Sequence, residues 1–150
     1  MTYISTKTYG HDIGLSCAFR QWKAESHCKY LHGYSLSITF RFMANELDYR
    51  NWVVDFGGLK DLKATLEDYF DHKTIVAEDD PHIKWFKRGE ELGILDLIEV
   101  DGVGCEKFAE LAYNLAEEWL EDNHLSSRIR VMSAEVKEHG SNSAIYSNEF

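Results

Sequence analysis

Proline occurs once in this chain, as Pro81, and cysteine three times, as Cys17, Cys28 and Cys105. With so little proline, and no run rich in serine, glycine and proline, the sequence offers neither a linker nor an unstructured tail. A single domain over residues 1–150 is expected. Three thiols cannot all pair within one chain and none stands in a Cys-x-x-Cys spacing, so reduced cysteines are expected. No apolar stretch approaches the ~20 residues of a membrane span, and Met1 to Gly10 lacks the apolar core of a signal peptide. The expectation is a cytoplasmic protein without membrane contact. Cations are scarce too: 16 Lys and Arg stand against 26 Asp and Glu, a net charge of −10. That deficit argues against nucleic acid as a partner, because displacing counterions from phosphates needs a basic face. It also means that an anionic small molecule would have to be met by cations gathered locally.

What is present is periodicity. Leu36, Ile38, Phe40 and Phe42 alternate with Ser35, Ser37, Thr39 and Arg41, the period of two of a strand with one apolar face. Ile13, Leu15, Cys17 and Phe19 mark a second strand, which Tyr3 to Tyr9 extends backwards or flanks as an edge, with Gly10 as a bend. Ile129 to Val136 reads as a later strand with Arg130, Met132, Ala134 and Val136 on one side; Leu95 to Val100 is short and ambiguous. Leu59, Leu62, Leu66 and Tyr69 recur at helical spacing after Gly57-Gly58. A second helix spans Cys105 to Asp122, with Phe108, Leu111, Ala112, Leu115, Ala116 and Trp119 as its apolar stripe and Asn123 as its stop. This order predicts an α+β domain with an antiparallel sheet and helices on one face. Residues 77–93 read as an inserted excursion with one helical turn around Trp85. Within it Glu78-Asp79-Asp80 reads as a solvated loop face, and core packing is expected for most of the four tryptophans.

Several residues carry possible chemistry. Cys28 lies between His27 and Lys29, where a neighbouring cation favours a thiolate, or else it is a small buried apolar residue. Asp71-His72 closes the first helix, as a carboxylate orienting a proton-transferring imidazole or as a favourable charge at a helix C-terminus. Glu138 follows the last strand, where a carboxylate can take two parallel hydrogen bonds from an amidine-like edge or simply face solvent.

In order and spacing these landmarks resemble the 6-pyruvoyltetrahydropterin synthase family and its bacterial branch, the 6-carboxytetrahydropterin synthases. The family's cysteine four residues before His-Gly-His is matched by Cys28 ahead of His32-Gly33-Tyr34. Its V-x-D-F-x-x-L-K signature is matched by Val53 to Lys60, its Asp-His pair by Asp71-His72, and the glutamate of P-T-x-E-N by Glu106. The C-terminal glutamate and its following small residue and tyrosine are matched by Glu138, Ala144 and Tyr146. The resemblance implies a tunnelling fold (T-fold), an antiparallel four-stranded sheet with two helices packed on one face, in a homo-oligomer that assembles as trimers and then a hexamer. It further implies that Cys28 is a general base, that Asp71 and His72 relay protons across a subunit interface, and that Glu138 anchors a pterin. The reaction implied is the lyase conversion of dihydroneopterin triphosphate to 6-carboxytetrahydropterin, toward 7-deazaguanine compounds and queuosine.

Zinc is the cofactor the resemblance implies, on three histidines. Phe19 stands in place of the first, His32 keeps the second, and Tyr34 replaces the third, so His32 is the one metal ligand left. Tyr34 is then expected to donate a hydrogen bond to a substrate oxygen. With Glu106 and Glu138 on the ring, Lys29 and Lys73 are expected to meet the triphosphate, alongside Arg20 and Lys23. Two other readings remain open: a non-catalytic or repurposed pterin- or purine-binding protein, and a cysteine hydrolase using Cys28, His72 and Asp71.

Overall fold

In the computed structural model, which describes residues 1–148, the longest strand organises everything else. This is β3 (His32–Ala44), and its alternating Leu36, Ile38, Phe40 and Phe42 are 0% exposed. One edge of β3 is covered by two consecutive strands, both antiparallel to it: β1 (Tyr3–Tyr9) along residues 38–44 and β2 (Leu15–Phe19) along 32–36. Between them a 3-10 turn (His11–Ile13) ends at Gly14, whose φ of 84° is a backbone state that a side chain would strain. On the other edge β6 (Arg130–His139) pairs antiparallel with β3, and β7 (Asn142–Tyr146) with β6.

The expected four-stranded antiparallel sheet is therefore part of a larger one. β4 (Lys73–Ala77) lies parallel to β2, and β5 (Leu97–Val100) lies parallel to β4. The result is a mixed sheet of seven strands in the order β5-β4-β2-β3-β6-β7, with β1 beside β3. Parallel neighbours need a crossover, usually a helix. The stretch expected to be an inserted excursion supplies it: after β4 the chain turns and forms α2 (Ile83–Glu91) before entering β5. The described residues form three α-helices rather than two.

The other two helices, α1 (Lys60–Phe70) and α3 (Cys105–Asp122), pack together over one face of the sheet. Their buried stripes are Leu62, Leu66 and Phe70 on α1, and Phe108, Ala112, Leu115, Ala116 and Trp119 on α3. A row of rings ties the layers: Phe70 to Phe108 at 5.6 Å and Phe108 to Phe19 of β2 at 4.9 Å. The turn into α1 is held by Asp55, whose carboxylate accepts the Gly57 N–H at 2.9 Å.

Three other expectations are corrected. On β6, Arg41 of β3 faces Ser133 but Phe42 faces Val131, so Met132 is an extra residue at a bulge. The bulge lets Val131 join Ala134 and Val136 in the core, which simple alternation does not allow. Among the tryptophans only Trp119 is a core residue; Trp85 is 75% exposed, and Trp52 stacks against Arg50 at 4.2 Å. Finally, Asp80 is not solvated. It is 2% exposed and takes a two-pronged ion pair from Arg20 at 2.9 and 2.7 Å. Burial alone would raise its pKa, but the Arg20 guanidinium and the His82 N–H bring it below the usual carboxylate range. No helix among the described residues is long and apolar enough to cross a membrane.

Candidate active site

The cleft of interest opens at the N-terminal end of β3, where the strand leaves the core. Phe19 on β2 lies directly across from His32, and Tyr34 follows two residues on, so it shares the face of His32. The residue between them has to be glycine. A Cβ on Gly33 would sit 2.7 Å from the Cys17 carbonyl oxygen. Phe19, His32 and Tyr34 form a triangle of rings with centres 5.7, 5.9 and 5.3 Å apart. Phe19 is buried beneath the other two and backs onto Phe108.

Beside this triangle lies a cleft of about 350 Å³, within the size range of small-molecule sites. Cys28 enters it from a 3-10 turn (His27–Lys29) that Ser26 caps, and its thiol is exposed, which excludes the buried apolar reading. Glu106 comes from the first turn of α3, just after Gly104 at φ 110°. Glu138 comes from β6 at a second irregularity, where the pairing with β7 slips between Lys137 and His139. Such slips re-aim side chains, and this one brings Glu138 to the cleft. A thiol, two carboxylates, one imidazole and one phenol thus meet over an aromatic floor.

Burial pushes the Tyr34 phenol up in pKa, and Glu138, Cys28 and Cys105 add to the shift. Cys105, buried at the start of α3, is pushed up to about 12 by burial and by Glu138. Both groups therefore hold their protons at neutral pH.

Of the residues singled out from the sequence, Cys28, His32, Tyr34, Glu106 and Glu138 line this cleft, whereas Lys29, Asp71, His72 and Lys73 do not. Asp71 and His72 sit in the turn from α1 to β4. There the His72 Nδ1 lies 2.7 Å from the Asp71 carboxylate, the His72 N–H binds the Ser16 carbonyl, and the imidazole is 86% exposed. His72 adopts φ 59°, a strained state for a side-chain-bearing residue that the Ser16 contact holds in place. The expected cationic rim is largely spent on partners: Arg20 on Asp80, Lys23 on Asp79, and Lys73 on Asp96. Lys29 lies over the Tyr30 ring, 5.4 Å from its centre. Gln21, Ala24 and Ser26 complete the cleft wall and were not foreseen. Their loop is irregular, held by the Gln21 N–H on the Cys28 carbonyl, the Ala24 N–H on the Gln21 carbonyl and the Trp22 indole N–H on Asp79, a pattern with no period to read in sequence.

The residues at the implied zinc position do not fit that ion. Phe19 has no donor atom, the Tyr34 phenol is protonated, and His32 alone offers imidazole nitrogen. The His32 Nδ1 already lies 2.6 Å from the Tyr30 carbonyl. Among the described residues no group of three His, Cys, Asp or Glu is placed to hold a metal.

The family model described as 6-pyruvoyl tetrahydropterin synthase matches residues 11–149. The chain belongs to that family. Among curated relatives, the 6-carboxy-5,6,7,8-tetrahydropterin synthase of Rickettsia conorii is 37% identical over 57 residues, 37% of this chain and 41% of that protein. This chain therefore spans less than half of that relative's length. The synthase of the same name from Aquifex aeolicus is 25% identical over 138 residues, 91% of this chain and 85% of that one. Among solved structures, an uncharacterized protein from Wolinella succinogenes superposes with a TM-score of 0.82 at 20% identity, covering 99% of each chain. The 6-pyruvoyltetrahydropterin synthase of Plasmodium vivax superposes at 0.66 with 19% identity, covering 96% of this chain and 97% of that one. These two likenesses establish the fold of a pterin-synthase family member.

Proposed function

We propose that this chain is a lyase acting on a pterin ring, dihydroneopterin triphosphate or a related pterin, in the manner of a 6-carboxytetrahydropterin synthase. The observation that carries this reading is the convergence of Cys28, Glu106 and Glu138 on one cleft beside an aromatic floor. The carboxylates suit the amino-pyrimidine edge of a pterin, which offers paired N–H donors. The Cys28 thiol, open to the cleft, is the group able to take a carbon-bound proton once ionised. The Asp71-His72 pair, with its imidazole exposed and outside the cleft of its own chain, is supplied to a neighbouring copy's cleft. Edge strands β1 and β7, each paired on one side only among the described residues, support such an assembly.

The cysteine-hydrolase reading loses ground, because His72 does not line the cleft that holds Cys28 and the two cannot form a nucleophile–base pair within one chain. The test is turnover of dihydroneopterin triphosphate, followed by release of acetaldehyde and triphosphate, with Cys28→Ala as the control. Turnover lost in Cys28→Ala while pterin binding persists is the expected result. Absence of any pterin binding would overturn the proposal. Binding without turnover of any pterin would leave the repurposed binder as the better description.

A further inference from the structure

We propose that this cleft works without a bound metal and that Tyr34, through its phenol O–H, takes over the contact to an oxygen on the ring's substituent. The inference rests on the reading of the cleft as a pterin site and specifies its ligand chemistry. The carrying observation is the triangle of Phe19, His32 and Tyr34, with ring centres 5.3 to 5.9 Å apart. Three imidazoles on a tetrahedral zinc, with Zn–N bonds of about 2.0–2.1 Å, have ring centres about 5 Å apart. The three positions therefore keep nearly the spacing of a metal tripod while two of the three rings have no ligating nitrogen.

The substitution is built into the core and is more than a surface change. Phe19 is 4% exposed and stands edge-on to Phe108 at 4.9 Å, continuing the row of rings into α3 and α1. A charged ion beside that row would face hydrocarbon on one side. Glu138 and Cys28 do not rebuild the tripod, since they form no three-residue metal cluster with His32 among the described residues. Tyr34 is half-buried at the cleft and is a neutral donor at physiological pH. A phenol O–H donates one hydrogen bond, whereas a zinc on three imidazoles has its fourth position open and can expand to a fifth. The corner is thus matched to a substituent bearing a single carbonyl or hydroxyl oxygen, without chelation of a vicinal diol.

The test begins with the natural chain, equilibrated with zinc, freed of excess ion, and assayed by elemental analysis and chelator-dye competition. Substoichiometric zinc is expected. One tightly held zinc per chain would overturn the proposal. Pterin binding, followed by fluorescence, is expected to be unchanged by chelator, and chelator-sensitive binding would count against the proposal. Tyr34→Phe is expected to weaken a pterin with a hydroxymethyl substituent about fivefold, the loss of one hydrogen bond, and to leave unsubstituted pterin unaffected. Equal weakening of both would remove the assigned contact. The F19H/Y34H double variant is expected to acquire one zinc per chain; a folded double variant without zinc would show that the triangle is not the metal corner. Should that variant fail to fold, the zinc titration of the natural chain still decides. A chain that binds neither zinc nor pterin would overturn the function reading while upholding the metal-free corner. One that binds both, with chelator abolishing the pterin, would do the reverse.

Discussion

The two halves of β3 make opposite use of one alternating pattern. From Leu36 to Phe42 every second side chain is sealed into the core at 0% exposure, against β1, β6 and α3. From His32 to Tyr34 the same alternation continues, but the rings on that face stay half-buried at a cleft. Where helix and sheet close over the strand, shape complementarity decides which residue fits. Where the layers part, hydrogen-bonding capacity and ring spacing decide instead. A strand that is rigid at one end can thus present chemistry at the other on a well-held base.

The difference should appear as a graded series of losses in stability. Phe40→Ala, in the sealed half, is expected to cost about 3–5 kcal/mol in denaturant unfolding. A cost near that of a surface change would mean that the core around β3 collapses to fill the space. Arg20→Ala comes next at about 2–3 kcal/mol, because it leaves the buried Asp80 carboxylate unpaired; the partial exposure of Arg20 moderates the loss. The folded pKa of Asp80 lies below its unfolded value. Its pair with Arg20 therefore stabilises fully above about pH 4 and fades as pH falls through the folded pKa. Acid unfolding of the natural chain should show that fade, and Arg20→Ala should flatten it.

A separate loss, gradual with pH, is expected in alkali. Cys17 and Cys105 are each pushed up to about 12, chiefly by burial, whereas an unfolded thiol titrates near 8.5. The unfolded chain then loses protons that the folded chain keeps, and stability declines as pH rises from about 8.5 toward 12. Replacing Cys17 by Ala should flatten that decline. Alkylation of the native protein should reach Cys28 alone, and labelling of Cys17 before unfolding would contradict its burial. At the bottom of the series, Glu138→Gln in the open region is expected to change stability by less than about 1 kcal/mol. Its affinity for a pterin, measured by titration, should nonetheless fall at least about tenfold. A large stability loss there would erase the distinction between the sealed and open regions.

How much of this was legible beforehand follows the same division. The apolar faces of β3 and α3 were readable because each is set by local period. The cleft residues Cys28, Glu106 and Glu138 were readable only as ordered landmarks shared with a family, since no spacing along the chain brings position 28 near 106 or 138. The parallel wing of β4 and β5 was missed although Thr74 to Ala77 is a buried run. Strand pairing there is decided by the α2 crossover, and residues 77–93 carry too much charge to look like one. The Arg20–Asp80 pair was missed for a related reason: burying Asp80 is affordable only with Arg20 in place, and that partner is sixty residues away in the chain. The bulge at Met132 defeated the reading of faces on β6, because one extra residue reverses the alternation beyond it.

Gly33 sets the dimensions of the corner independently of the rings around it. With the Cys17 carbonyl 2.7 Å from where its Cβ would be, any larger residue would wedge β2 away from β3. The gap between Phe19 and His32 is thus gauged by an atom that is missing, and the rings themselves are free to vary. A designer wishing to install other chemistry here would do well to exchange the rings and leave the glycine alone.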